Sequence, residues 1–227
     1  MQIILKLLIL NIGLLGFGNS VLAEKKMVKE YGFVILLDDV CTRTADYIND
    51  DIAAKLPDLH NPVNTWHVTL HQGAYSQTDI TGFQNNLKLL SLAPLSLYFN
   101  EIVATEDRWI DFNVKKNPVL TKLHRKILKF TDSCFQRALV RAHDVYHTLS
   151  EKHKAHVDEH GVYGIFEDYR PHMTLFYQYP SSPKLQEAAK QIAKTVKPMK
   201  CKAQKLAIAE LEYNGNISKI IFSVEFP

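Results

Sequence analysis

Residues 65–71 read TWHVTLH and residues 170–176 read RPHMTLF, so the pattern His-x-Thr-Leu occurs twice, with His67 and His172 105 positions apart. In an extended strand successive side chains point to opposite faces, and residues i and i+2 share one face. His67 and Thr69 therefore face one way while Val68 and Leu70 face the other, and His172 and Thr174 are set against Met173 and Leu175 in the same manner. Each stretch presents an imidazole beside a hydroxyl, on a strand whose opposite face is apolar and can anchor in a core. The same parity puts His71 and Phe176, two residues beyond each threonine, on the polar face, together with Arg170 ahead of His172.

The surrounding sequence repeats this grammar. YGFVILL (31–37) and HVTLHQGAY (67–75) read as strands, and TADYINDDIAAKL (44–56) and TDITGFQNNLKLLS (78–91) as helices. Residues 94–114 look like two strands around a Glu-Asp turn. A helix is expected over 117–139, with Asn117 as cap, Pro118 at its first position and Leu120, Leu123, Ile127, Phe130 and Cys134 on its apolar side. HMTLFYQY (172–179) is a strand and 182–196 a helix, and 201–213 with 219–226 form a closing hairpin around Asn214-Gly215. Each half thus carries strand, helix and paired strands around its own His-x-Thr-Leu. The expected fold is a bilobal α+β domain, its two similar lobes placing antiparallel sheets around a central cleft.

The composition, 46% hydrophobic and 22% charged over 227 residues, is that of an ordinary globular chain with a sizeable core. Residues 1–23 stand apart: Lys6 precedes the apolar run LLILNIGLLGFG, and Val21-Leu22-Ala23 supplies small residues at a cleavage site. They read as a signal peptide, which leaves 24–227 as the mature domain in a periplasmic or secreted location. An uncleaved anchor is the alternative, weakened by Asn11, Gly13, Gly16, Gly18 and Asn19. Cys41, Cys134 and Cys201 show no C-x-x-C spacing, so they fit neither a zinc ribbon nor a disulfide scaffold, and one bridge would leave one thiol over. A formal charge of +3 is too mild to hold long nucleic acid by electrostatics, though a small anionic substrate is compatible. A monomer without stable membrane association is expected once the leader is removed.

Histidine exchanges a proton near neutral pH, and a threonine hydroxyl donates a hydrogen bond to an anionic oxygen. Two such pairs around one centre suit a phosphodiester. One imidazole activates water or a ribose hydroxyl, the other protonates the leaving oxygen, and the hydroxyls hold the non-bridging oxygens. This chemistry requires no metal or other cofactor. A lone His-x-Thr among ten histidines is a weak signal. The weight rests on the pair, set in corresponding places of two similar halves.

With HVTL at 67–70, HMTL at 172–175 and Pro171 ahead of the second motif, the chain resembles the 2H phosphoesterase superfamily, which includes the 2′-5′ RNA ligase-like proteins and cyclic phosphodiesterases. The resemblance implies a bilobal fold with a central cleft, metal-independent phosphodiesterase activity, and His67, Thr69, His172 and Thr174 as catalytic residues. The implied substrate is a cyclic or 2′,5′-linked phosphodiester of a nucleotide or short RNA. Phe176 is a candidate to stack on a base, and His71 and Arg170 are candidates to touch a phosphate. A catalytically silent protein that binds nucleotides or RNA ends is the alternative.

Residues 143–160, HDVYHTLSEKHKAHVDEH, hold five of the ten histidines. His143-Asp144-x-x-His147 echoes the H-E-x-x-H zinc helix, which makes a zinc hydrolase using the His143–His160 cluster a further alternative. Asp is one carbon shorter than the Glu base and no third ligand is evident, so a solvated polar segment is the preferred reading. The basic side of the 117–139 helix, with Lys122, Arg125, Lys126, Lys129 and Arg137, is likewise read as solvated rather than RNA-binding.

Overall fold

The computed structural model describes residues 27–58, 65–106, 108–132, 134–178 and 181–227. The signal peptide expected at 1–23 lies outside the described residues. The elements run β1 (Val28–Leu37), α1 (Asp39–Lys55), β2 (His67–Ser76), α2 (Gln77–Lys88), β3 (Ser96–Thr105), β4 (Trp109–Val114), α3 (Pro118–Thr131), α4 (Val140–Asp144), α5 (Glu151–His160), β5 (His172–Tyr177), α6 (Lys184–Thr195), β6 (Met199–Leu211) and β7 (Ile217–Glu225).

The strands form one antiparallel sheet in the order β2-β1-β6-β3-β4-β5, with β7 also paired to β6. β6 belongs to both halves: Met199–Lys202 pair with β3, whereas Ala203–Glu210 pair with β1. β2 and β5, at opposite ends of the order, come into contact, so the sheet curls until its two His-x-Thr strands are neighbours.

Apolar residues at helical spacing glue the helices to the sheet. On α1, Cys41, Ala45, Ile48 and Ile52 are buried, and the helix packs on β5, β6 and α6. On α3, Leu120, Leu123, Ile127 and Leu128 are buried, and it packs on β2 and α2. The supports are therefore exchanged: the helix that follows β1 braces β5, and the helix that follows β4 braces β2. Val68, Leu70, Met173 and Leu175 lie in this main core as strand parity requires.

Two helix bounds differ from the periodicity by five residues or more. α1 begins at Asp39 rather than 44, because the Asp38 carboxylate caps it by accepting from the Cys41 backbone N–H at 2.9 Å, while Val40 on its first turn is exposed and masks the apolar pattern. α3 stops at Thr131 instead of reaching 139; the Thr131 hydroxyl donates back to Ile127 O at 3.0 Å, and the next residues run beside β2, where Gln136 N–H donates to Ala74 O at 2.8 Å. A disulfide joins Cys41 of α1 to Cys201 of β6, and Cys134 takes no part in a disulfide.

Candidate active site

The histidines of the two His-x-Thr motifs are oriented in the same way. His67 Nδ1 lies 2.8 Å from the carbonyl oxygen of Thr65, and His172 Nδ1 lies 2.8 Å from that of Arg170. A carbonyl can only accept, so each Nδ1 carries the proton and each Nε2 is left as the working nitrogen. In both motifs the residue two positions upstream sets the tautomer.

The strands carrying the motifs are bulged at the same place. In the β1–β2 ladder Val34 faces Thr69 and Phe33 faces His71, so Leu70 is an extra residue; in the β4–β5 ladder Asp111 faces Thr174 and Ile110 faces Phe176, so Leu175 is extra. Parity therefore inverts after each Leu. His71 and Phe176, expected beside the catalytic pairs, turn instead to the core side with their partners Phe33 and Ile110. His71 is 4% exposed and bonded through Nε2 to the Tyr75 hydroxyl at 2.8 Å, and burial pushes its pKa down to about 3. Although His71 borders the cleft cavity, it is no free phosphate ligand, and Phe176, 1% exposed, offers no ring to a base. The side chains that take the vacated face are one residue further on, Gln72 and Tyr177.

A cavity of about 460 Å³ opens over this face. Its wall includes Thr69 and Gln72 of β2, Asp111 and Asn113 of β4, and His172, as well as Arg141, Tyr163 and Arg170 from the stretch between α3 and β5. Arg170 is exposed there, as expected for a residue sharing the face of His172. Thr174 donates its hydroxyl to Asp111 Oδ1 at 2.9 Å, and the same oxygen lies 3.9 Å from His172 Nε2. Asp111 is buried. It was visible in WIDFNV as an acid that alternation places, with Asn113, on the side facing away from Ile110 and Phe112.

The two imidazoles sit in different surroundings. His67 is held at a pKa of about 4, chiefly by burial, with the charges of His172 and Arg141 adding to it and the bond to Thr65 opposing it. His172 is 41% exposed in its side chain, with the Asp111 carboxylate nearby. His67 is thus kept neutral, and His172 stands beside a buried carboxylate.

No family sequence model and no curated protein sequence matches the chain. Solved structures do. E. coli LigT complexed with 3′-AMP superposes with a TM-score of 0.52 at 14% identity, covering 88% of this chain and 98% of that one. Its fold is that of LigT. TT0787 of Thermus thermophilus has a TM-score of 0.55 at 13% identity over 87% of this chain and 97% of that one, and E. coli LigT complexed with ATP one of 0.52 at 13% identity over 88% and 99%. The α+β fold with an antiparallel sheet, the fold class read from the sequence, is thus shared with these solved structures.

On this LigT fold the histidine-rich stretch makes no zinc helix. α4 ends at Asp144, and His147 falls in a separate single turn, Tyr146–Thr148, so His143 and His147 do not share one helix face. α5 carries the others, each with its own contact: His153 with Asp168 at 3.3 Å, His156 with the Tyr163 carbonyl at 3.1 Å, and His160 with Asp132. Among the described residues no group of three His, Cys, Asp or Glu side chains is placed to hold a metal ion.

Proposed function

We propose that the protein is a 2H-type phosphodiesterase that opens a cyclic or 2′,5′-linked phosphodiester of a nucleotide or short RNA. The observation that carries this reading is the matched pair of imidazoles, each with Nδ1 tied to a carbonyl, on neighbouring strands of which Thr69 and His172 line a cavity of nucleotide size. The LigT structures with 3′-AMP and ATP support a small nucleotide as the ligand. His67, kept neutral by its surroundings, is the general base: its Nε2 takes a proton from water as the water oxygen attacks phosphorus. His172, beside Asp111, is the general acid, and its Nε2–H passes to the ribose oxygen as the P–O bond breaks. Thr69 donates to a non-bridging oxygen. Thr174 does so when its hydroxyl turns from Asp111 to the phosphate.

We infer a periplasmic or secreted location, supported by the leader-like residues 1–23 and by the Cys41–Cys201 bridge, which suits an oxidising compartment.

The test is turnover of the four 2′,3′-cyclic nucleotides and 2′,5′-oligoadenylate by purified protein in the presence of chelator. His67→Ala and His172→Ala are each expected to lower kcat by about 10²- to 10⁴-fold, and the double variant to be little worse than either single one. Full activity of a folded His172→Ala variant sinks the assignment. Tight nucleotide binding with no turnover by the wild type establishes the silent binding protein instead, and activity only after zinc is restored points to a metallohydrolase.

A further inference from the structure

We propose that Arg141 receives a second anionic group of the substrate, a 5′-phosphate on the nucleotide whose phosphodiester lies between His67 and His172; this rests on the phosphodiesterase reading of the cleft. Arg141 belongs to α4 and forms part of the cavity wall. Its guanidinium is held by two neutral acceptors, the Gln72 side-chain oxygen and, at 3.3 Å, the Tyr213 carbonyl. Among the described residues no carboxylate lies within ion-pair distance of it. Glu30 is the acid whose charge reaches it, but that carboxylate is taken by Arg137 at 3.1 Å and by the Val140 N–H at 2.8 Å.

The fold makes room for this cation. Gly215, with φ +87°, closes the β6–β7 hairpin, and a Cβ there would come within 2.8 Å of Arg141 Nη1. Gln72 can hold the guanidinium because the bulge at Leu70 turns it, rather than His71, to the face of Thr69. A half-buried cation without a carboxylate is costly to maintain, and an anionic ligand that completes it binds through charge-assisted, two-pronged hydrogen bonds. Thr69 and Gln72 are three residues apart on a bulged strand, on the order of 7–10 Å. Arg141 also lies close enough to His67 for its charge to be felt there. A phosphate at the His-x-Thr pairs and another at Arg141 are then separated by about one ribose, which favours a 5′-phosphorylated or internal nucleotide over a bare nucleoside cyclic phosphate.

The test is calorimetric binding of adenosine 3′-monophosphate and adenosine 3′,5′-bisphosphate to wild type, Arg141→Lys and Arg141→Gln, with thermal melts to verify folding. Wild type is expected to favour the bisphosphate by about 10- to 100-fold, Arg141→Gln to shrink that ratio to about 2 or less, and Arg141→Lys, a point charge without the fork, to fall between. A wild-type ratio near 1, or an undiminished ratio in Arg141→Gln, overturns the proposal; if the Gln variant does not fold, the wild-type ratio and the Lys variant decide. Turnover of 2′,3′-cyclic AMP by the wild type separates the two ideas. Turnover without the bisphosphate preference removes the Arg141 assignment alone, the preference without turnover removes the phosphodiesterase reading alone, and neither binding nor turnover removes both.

Discussion

His124 Nδ1 lies 2.6 Å from the carbonyl oxygen of Leu70, the extra residue of the β2 bulge. The His124 ring is stacked on Tyr169, centroids 3.9 Å apart and planes within 3°, and the Tyr169 hydroxyl donates to the Thr69 carbonyl at 3.0 Å. The second motif has its own version: Asn49 Nδ2 donates to the carbonyl of Leu175 at 2.6 Å. A bulge removes a carbonyl from the ladder, and a buried carbonyl requires a donor from elsewhere. Here α3 supplies it to β2 and α1 to β5, so each motif is fastened by the helix that braces it.

Removing either donor leaves that carbonyl buried and unpaired. His124→Ala is expected to cost about 2–4 kcal/mol, since it also opens a cavity against Tyr169, and Asn49→Ala about 1–2 kcal/mol. Urea unfolding measures both, and kcat/KM should fall in each folded variant because the bulge that aims the threonine loosens. Unchanged stability of His124→Ala would show that the carbonyl finds another partner.

If His67 is the base, the acid limb of the kcat/KM profile reports its proton in the free enzyme. With its pKa held at about 4, the acid-side fall in activity that depends on His67 should come below about pH 5. A His67-dependent limb centred at about 6.5, the ordinary imidazole value, argues for the reverse assignment of acid and base.

Stability should respond to acid through the same physics. His67, His71 and His124 all have folded-state pKa values lowered by burial, the first two to about 4 and about 3. Above the unfolded value of about 6.5 they add no pH dependence. As pH falls below it the unfolded chain takes up protons that the folded one refuses, so stability drops until the folded values are passed, by up to about 1.4 kcal/mol per pH unit for each group. Unfolding free energies at about pH 5 and about pH 7 should differ by less in His71→Phe than in wild type. Equal differences in the two proteins would mean that His71 takes up a proton in the fold.

Reduction of Cys41–Cys201, which spans 160 residues, is expected to cost about 3–5 kcal/mol and to lower Tm accordingly. The bridge anchors the start of α1, the helix that carries Asn49, so the reduced protein should also lose activity. Cys134→Ser should change stability by less than about 1 kcal/mol. Identical melting with and without reductant would show that the bridge does not form.

The first four positions of each motif were legible from parity alone: His67 and Thr69 on one face, Val68 and Leu70 on the other. The fifth was not. Whether Leu70 is paired or extra depends on how β2 aligns with β1, some thirty residues away, and no local pattern encodes that register. His124 carried a signal, a histidine among the apolar positions Leu120, Leu123 and Ile127, but its target is the bulge, which parity cannot foresee. Arg141 stands among histidines in a stretch whose sequence reads as solvated, and no local pattern marks it as part of the cavity wall.

β6 gives backbone hydrogen bonds to β1 along one stretch and to β3 along another, so a single strand is the common spine of the two halves that carry the His-x-Thr motifs. Widening the gap between the histidines would mean tearing that ladder, not swinging a linker. The separation of the two His-x-Thr strands is therefore built in during folding.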